Sequence, residues 1–346
     1  AQSTRQAATS RHCCRLGAGS ADSLAWTLSL LWASTQMQSS RSLAIRRIRS
    51  NGSAAKARSE RSMSPAAPYT YLFVPGNRPD RFAKAAASDA DRVILDLEDA
   101  VATADKAEAR ISIQAWMQAV SGDLEPQRLM IRINDARSAD FEDDLSLLSR
   151  LPACGVMLSK SERVEDLQAV RAVMRPDTEL IALIETGVGV LAASQLARQS
   201  GLTRLALGAL DLMVDLNIPS DSPTLAHSAS KLVLASRAAG LASPIAGVTP
   251  SVSQDQTEQE MQEAFRMGFG AKLCIHPTQL AGVRRALAPQ PADLQWAQTV
   301  VAAWEAAHAS GEPAGALQLD GKMVDRPVYL HALRLLALQR ASQSGG

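Results

Sequence analysis

The sequence predicts an α/β fold: a (β/α)8 barrel (TIM barrel) with a C-terminal helical lid and a disordered N-terminal extension. Eight short apolar runs recur between residues 69 and 290, and amphipathic segments of helical period separate them. The runs are apolar on both faces, which is typical of strands in a parallel sheet covered by helices. Eight such units in about 215 residues match a (β/α)8 barrel in number and length.

The expected strands follow one another at regular intervals. They are residues 71–74, 92–97, 129–133, 155–159, 180–185, 204–208, 243–248 and 271–276. The clearest helical segments between them are Lys106–Met117, Val164–Val173, Gly189–Arg198, Lys231–Ala239 and Glu258–Met267. A doubly wound open sheet is the alternative fold. The turn after the first run, Pro75 to Arg78, lacks the G-x-G-x-x-G pattern, so dinucleotide binding has no support.

The two ends of the chain differ from this central domain. Residues 1–66 hold ten of the 36 basic residues and only two of the 35 acidic ones, with no helical or strand period. Such a segment buries too little apolar surface to fold. It is interpreted as a mitochondrial transit peptide, a translated upstream extension before Met63, or a tail without a role. Residues 291–346 hold two helical stretches, Ala292–His308 and Arg326–Gln343, joined by a loop, and are expected to form a lid or an oligomerisation segment.

Composition excludes several classes of protein. With 46% hydrophobic residues the chain is not disordered throughout, and with five Trp, three Tyr and five Phe it lacks the aromatic platforms of a nucleic-acid binder. The apolar run at residues 24–33 is too short to span a bilayer, so no membrane partner is expected. Cys154 and Cys274 have no metal-ligand spacing. A cytoplasmic enzyme is expected, or a mitochondrial-matrix enzyme if residues 1–66 are a transit peptide.

Acidic side chains follow two neighbouring strands at the end where such barrels build their active sites. Glu185 closes the fifth run and Asp211 follows the sixth. Two close carboxylates repel each other, and a divalent cation such as Mg²⁺ removes the conflict. The alternative is that both form salt bridges with neighbouring Arg or Lys side chains.

Arg132 ends the third run at the same expected mouth of the barrel. A guanidinium there can hold a carboxylate or thioester oxygen with two hydrogen bonds. Asp96 near the end of the second run, and Glu98 and Asp99 just after it, can pair with Arg132 instead. Both interpretations can hold together, because an acidic cluster can orient the guanidinium. Lys160 follows the fourth run.

Seven motifs in order carry a resemblance to a known family. They are LFVPGNRPDRFAKAAA, VILDLEDAV, IRIN, LIALIETGVGV, LGALDL, KLCIHPTQ and MVDRPV. Together they resemble the HpcH/HpaI aldolase/citrate lyase family, whose members include citrate lyase β-subunit-like proteins, over residues 69–330. The resemblance implies a (β/α)8 barrel, usually a homotrimer. It also implies an enzyme that makes or breaks a carbon–carbon bond in 3-hydroxyacyl-CoA thioesters with Mg²⁺, or with Mn²⁺ in its place.

The resemblance also implies roles for individual residues. Glu185 and Asp211 match the metal ligands, and Arg132 matches the residue that holds the thioester or oxo-acid oxygen. Asp325 matches an acid/base that the lid of a neighbouring subunit supplies. Positions that contact coenzyme A in related enzymes correspond to Phe73, Arg78 and Lys84.

Three positions depart from the family pattern. Leu210 stands where many relatives have an acid, and Ala246 and Thr249 stand where many have an acid and a phenol. These departures are expected to lie near the pocket and to favour a smaller, less polar acyl group. The leading function is a carbon–carbon lyase. Its alternatives are a thioesterase acting on the same esters and a CoA-binding subunit with weakened catalysis.

Overall fold

The computed structural model describes residues 68–120, 126–309 and 316–343. The expected N-terminal extension, residues 1–66, lies outside the described residues. Eight parallel strands form a closed barrel in chain order, and β8 pairs with β1. The barrel prediction is therefore confirmed, and the open sheet is excluded because the barrel has no free edge.

The strands are β1 (Thr70–Pro75), β2 (Arg92–Asp96), β3 (Leu129–Ile133), β4 (Gly155–Leu158), β5 (Leu180–Ile184), β6 (Arg204–Leu207), β7 (Ile245–Ala246) and β8 (Ala271–Cys274). The helices are α1 (Phe82–Ala86), α2 (Lys106–Ala119), α3 (Phe141–Arg150), α4 (Val164–Val173), α5 (Gly187–Leu196), α6 (Ala209–Leu216), α7 (Pro223–Ala239), α8 (Gln254–Met267), α9 (Gln279–Leu287), α10 (Pro291–Ala309) and α11 (Arg326–Gln343). A separate two-stranded hairpin consists of β9 (Ala316–Leu319) and β10 (Lys322–Asp325).

Strand residues alternate between two cores. Tyr71, Ile94 and Met130 belong to a cluster of inward-facing side chains that fills the barrel. Leu72 and Leu95 belong to a larger cluster between the strands and the surrounding helices. Both faces of each strand are buried, which is why the runs are continuously apolar in the sequence.

The same alternation continues to the C-terminal ends of the strands. Phe73, two residues after Tyr71, packs against the inner cluster. Asp96 lies two residues after Ile94, and Arg132 two residues after Met130. The register pairs Arg132 with Asp96 on one side and with Met157 on the other. Polar residues at these positions therefore share the inner mouth of the barrel.

The segment after the barrel contains a hairpin where the sequence predicted a loop. Asp320 and Gly321 join β9 to β10, both with left-handed φ angles, of 49° and 76°. Two residues with positive φ form the tight turn that the Asp-Gly pair favours in antiparallel hairpins. Helices α10 and α11 pack with the hairpin around a core of their own, in which the Trp304 ring stacks on Tyr329 at 5.2 Å. Among the helices that the structure describes, none combines the length and apolarity needed to cross a membrane.

Candidate active site

Arg132 is held by two carboxylates at the mouth of the barrel. Its Nε and Nη2 each donate to one oxygen of Asp96, both at 2.6 Å, and its Nη1 lies 3.0 Å from Glu98. Asp99 lies farther away, at 3.9 Å, and is exposed. Burial alone would lower the pKa of Arg132, but the charges of Asp96 and Glu98 outweigh it and raise the pKa. The guanidinium is therefore a permanent positive charge with a fixed orientation.

Backbone groups hold Asp96 in turn. The amide of Glu98 donates to one Asp96 oxygen at 3.0 Å, and the amide of Ala100 donates to the other at 3.3 Å. The guanidinium carbon of Arg132 lies over the Phe73 ring, 4.8 Å from the ring centroid. One N–H on each terminal nitrogen of Arg132 is not needed for these carboxylate contacts and can donate to a bound oxygen.

Glu185 lies inside the mouth, one residue beyond β5. It is 1% exposed, and neither carboxylate oxygen has a hydrogen-bond partner. Burial, together with the charges of Glu98 and Asp211, raises its pKa to about 8, although Arg132 and Lys160 act in the other direction. A buried carboxylate without hydrogen-bond partners is costly to ionise, so this group is suited to bind a cation.

Asp211 approaches Glu185 from the next unit of the barrel. It lies in the first turn of α6, which begins directly after Gly208. The amide of Gly208 donates to the carbonyl of Ile184 at 2.9 Å, so β5 and the start of α6 meet at this point. A Cβ at Gly208 would lie 2.5 Å from Cγ of Glu185, so any other residue there would force the glutamate side chain to shift.

Lys160 links the two halves of the site. Its ammonium group pairs with Glu98 and lies 3.7 Å from Oε2 of Glu185. The backbone φ of Lys160 is 43°, in the left-handed region that residues other than glycine rarely adopt. The charge of Glu98 raises the pKa of Lys160 although partial burial lowers it, so this second cation stays charged.

A buried polar network outside the barrel supports this mouth. Asn134 donates to the carbonyl of Leu97 at 3.1 Å and to Asp144 at 2.7 Å. Asp144 also accepts from Arg110 at 2.7 Å, and Lys106 donates to Asn134. The network ties the loops after β2 and β3 to helices α2 and α3. Sequence reasoning missed its role, because Lys106 and Arg110 look like ordinary polar positions of an amphipathic helix.

Ser159 is another residue that the sequence did not single out. It follows β4, two residues after the inward-facing Met157, so the alternation places it on the barrel side. It is fully buried, and its hydroxyl has no hydrogen-bond partner. Strand β4 pairs with β3 on one side and with β5 on the other. Ser159, just after β4, therefore lies between the strand that carries Arg132 and the strand that leads to Glu185. Strand alternation combined with strand order could have found it.

Three of the residues predicted for the site have no described contact with Arg132 or Glu185. Arg78 and Lys84 are on the exposed segment after β1, where Arg78 pairs with Asp80 at 2.7 Å. Asp325 ends β10, and its side chain accepts from the amide of Val328 at 3.1 Å in the first turn of α11. The described contacts of Asp325 are thus within the C-terminal segment.

The departures from the family pattern lie in different places. Ala246 was expected near the pocket, but its side chain belongs to the outer core between strands and helices and does not face the barrel interior. Thr249 is fully buried and donates its hydroxyl to Glu260 of α8, which also turns it away from the barrel axis. Only Leu210 lies at the mouth, partly exposed beside Asp211.

The donor set fits a hard divalent cation. Five carboxylates gather around Arg132 and Lys160, which leaves three negative charges in excess when all are ionised. Across residues 68–120, 126–309 and 316–343, no cluster of three or more His, Cys, Asp or Glu side chains is arranged to hold a metal ion. Two carboxylates are nevertheless enough for Mg²⁺, which keeps several water or substrate oxygens in its coordination sphere.

A closed (β/α)8 barrel with an acidic pair and an oriented guanidinium at its C-terminal mouth defines a class of barrel enzymes that act on oxygen-rich anionic substrates. The family model for HpcH/HpaI aldolase/citrate lyase matches residues 69–277. The chain belongs to the HpcH/HpaI aldolase/citrate lyase family, a family of enzymes that act on CoA esters.

Individual relatives agree with this assignment. A citrate lyase subunit beta-like protein of Mycobacterium tuberculosis is 35% identical over 273 residues, which is 77% of this chain and 93% of the relative. A (3S)-malyl-CoA thioesterase of Cereibacter sphaeroides is 32% identical over 78% of this chain and 94% of its own length. The crystal structure of the CitE protein of Mycobacterium tuberculosis with magnesium, acetoacetate and coenzyme A superimposes with a TM-score of 0.68 at 34% identity, covering 80% of this chain and 99% of that one.

Proposed function

We propose that the protein is a Mg²⁺-dependent carbon–carbon lyase that cleaves, or forms, a small 3-hydroxyacyl-CoA thioester to give an acyl-CoA and a 2-oxo acid. The observation that carries the proposal is the buried Glu185 carboxylate, which has no hydrogen-bond partner and lies close enough to the oriented Arg132 to feel its charge. The magnesium and coenzyme A in the related CitE crystal structure support it.

Glu185 and Asp211 are the residues that would hold the cation. A bound Mg²⁺ supplies Lewis acidity toward hydroxyl and carboxylate oxygens of the acyl group. The excess of negative charge around Glu185 favours a divalent cation over a monovalent one. Mn²⁺ suits the same two oxygen ligands.

Arg132 is proposed to stabilise the thioester oxygen on which negative charge develops as the carbon–carbon bond breaks. Asp96 and Glu98 fix the guanidinium before the reaction, so no reorganisation is needed when the charge appears. The Phe73 ring covers one side of the guanidinium and excludes water there. Donors of this kind typically contribute about 3–4 kcal/mol of transition-state stabilisation each.

Asp325 is proposed to move the proton at the α-carbon of the acyl-CoA, acting from the lid of a neighbouring copy. Within its own chain its contacts lie in the C-terminal segment. Val188 and Leu191 on α5 and Val214 on α6 are exposed apolar side chains of the kind that suits subunit contact. The proposed assembly is a homotrimer in which each site uses two chains.

Arg78 and Lys84 are proposed to bind the phosphates of coenzyme A. Both are exposed on the segment that follows β1, beside the mouth, where their charges can reach a long substrate that extends out of the barrel. Phe73 lies deeper, against Arg132, and would contact the end of the coenzyme A arm. Only Leu210 now supports a smaller, less polar acyl group, since Ala246 and Thr249 lie outside the mouth.

Product analysis tests the reaction. The purified full-length chain is incubated with citramalyl-CoA, malyl-CoA and citryl-CoA, with Mg²⁺ or with EDTA, and the products are separated by mass. A lyase gives an acyl-CoA plus a 2-oxo acid, whereas a thioesterase gives free CoA plus a hydroxy acid. The Glu185→Gln variant should lose the Mg²⁺-dependent reaction and keep its fold. Preference for citryl-CoA would count against the smaller acyl group, and binding without turnover would favour the CoA-binding subunit.

Mixing two inactive variants tests the shared site. Glu185→Gln and Asp325→Asn chains, each inactive alone, are co-expressed and purified together. If the barrel of one chain works with the lid of another, about a quarter of wild-type activity returns from random assembly of equal amounts. No recovery from stable mixed oligomers would rule out a site that combines the barrel of one chain with the lid of another.

A further inference from the structure

Lys160 holds a costly backbone conformation at a functional position. Its φ of 43° is one of three positive values among the non-glycine residues that the structure describes. The other two, Asn217 and Asp320, are residue types that tolerate this region, and both lie at turns or helix ends. A lysine gains no such local compensation. Strained residues of this kind persist where the surrounding structure requires the side chain to point in one direction.

The Lys160 side chain points toward two carboxylates, Glu98 and Glu185, that have different roles in the site. The ammonium group pairs with Glu98, which is the second carboxylate on Arg132. It also lies 3.7 Å from Oε2 of Glu185. Lys160 therefore stands between the pair that orients the guanidinium and the carboxylate proposed to hold the cation.

We propose that Lys160 is a positioning residue of this site: it fixes Glu98 against Arg132, and its charge beside Glu185 lowers the affinity of the site for a divalent cation. The inference rests on the proposed function and adds a residue to it. Lys160 makes no bond in the reaction. It acts through Arg132 and Glu185.

Two consequences follow from the geometry. Without the ammonium group, Glu98 loses one of its two cationic partners and Arg132 is less firmly oriented, so turnover slows. The site also loses a positive charge close to the cation, so a divalent ion binds more tightly. In water, the repulsion between a single and a double positive charge about 6 Å apart corresponds to about a tenfold change in affinity.

The test compares Lys160→Met with Lys160→Arg, which keeps the charge, and with Lys231→Met on α7 outside the site. Calorimetric titration with Mn²⁺ in the absence of substrate measures the affinity, and steady-state assays with the preferred CoA ester measure kcat and KM. Lys160→Met should bind Mn²⁺ about tenfold more tightly, with kcat lowered at least tenfold and KM changed less than threefold. Lys160→Arg should bind Mn²⁺ like the wild type and recover most of kcat.

Lys160→Met with wild-type kcat, or with Mn²⁺ affinity within twofold of the wild type, would overturn the inference. A lower thermal midpoint with unchanged Mn²⁺ affinity would show that the residue only stabilises the fold. Lys160→Gly guards against that outcome, because glycine adopts the left-handed conformation without strain and should fold well while showing the same two changes. A wild-type chain that binds Mn²⁺ but cleaves no CoA ester would defeat the proposed lyase function and leave the cation measurement valid.

Discussion

Gly208 provides the space that the Glu185 side chain occupies. A Cβ at position 208 would lie 2.5 Å from Cγ of Glu185, a separation that real Cβ atoms essentially never show, and 3.0 Å from Cδ. Glu185 follows β5, and Gly208 precedes α6, the helix that carries Asp211. The glycine thus allows the two acidic residues to approach each other at one point of the rim.

Gly208→Ala should therefore impair metal binding. The added methyl group pushes the Glu185 carboxylate away from its position, and we expect Mg²⁺ affinity to fall at least tenfold in a calorimetric titration. Gly187→Ala is the matched control, since its Cβ would meet the movable end of Leu216 at 3.1 Å. Equal Mg²⁺ affinity in Gly208→Ala and wild type would mean that Glu185 is not a ligand or is free to shift.

The raised pKa of Glu185 predicts how stability depends on pH in the absence of metal. Its folded-state pKa of about 8 lies above the ordinary value of 4.5. Between these values the folded chain holds a proton that the unfolded chain has lost, so the free energy of unfolding falls as pH rises toward 8, by at most about 5 kcal/mol. Above pH 8 this contribution levels off.

Urea unfolding in EDTA between pH 6 and 9 measures this effect. Glu185→Gln, which mimics the protonated carboxyl, should lack the decline, so the stability difference between wild type and variant should shift in favour of the variant as pH rises. Parallel curves for the two proteins would show that Glu185 keeps an ordinary pKa.

Arg132→Lys should disable the site although it keeps the charge. A lysine ammonium cannot reproduce the two parallel bonds of 2.6 Å to Asp96 and also reach Glu98. We expect kcat/KM to fall by about 10²–10³. The free energy of unfolding should fall by about 1–3 kcal/mol, because the buried Asp96 is left partly unpaired. Arg285→Lys on α9, in a more exposed pair with Glu258, should change neither quantity measurably.

Ser159→Ala should separate stability from activity. The buried hydroxyl has no partner within the chain, so its removal should leave the free energy of unfolding unchanged or raise it by up to about 1 kcal/mol. We expect this hydroxyl to contact a substrate oxygen, so kcat/KM should fall about tenfold.

Ser236→Ala on α7 is the matched control, because that hydroxyl is also buried without a partner but lies outside the barrel. It should show the same stability effect and full activity. Full activity in Ser159→Ala as well would assign the Ser159 hydroxyl no role in the reaction.

Local sequence pattern was sufficient to predict the barrel. Apolar runs between helical segments predicted eight strands, and the structure has eight in a closed barrel. Alternation along a strand also explains why Arg132 and Glu185 point to the inside, because side-chain direction in a strand has a period of two residues. The Asp320-Gly321 pair is an equally local sequence signal for a hairpin turn, but the sequence analysis predicted only a loop there.

What only the tertiary structure decided is how the strand ends meet. The sequence placed Ala246 near the pocket and gave Ser159 no role, yet the first faces the outer core and the second faces the barrel. The left-handed backbone of Lys160, its contact with both Glu98 and Glu185, and the space left by Gly208 likewise appear only in the closed barrel. The physical reason is that pattern along the chain is local, whereas register and stagger around a closed barrel are set by pairing between strands far apart in sequence.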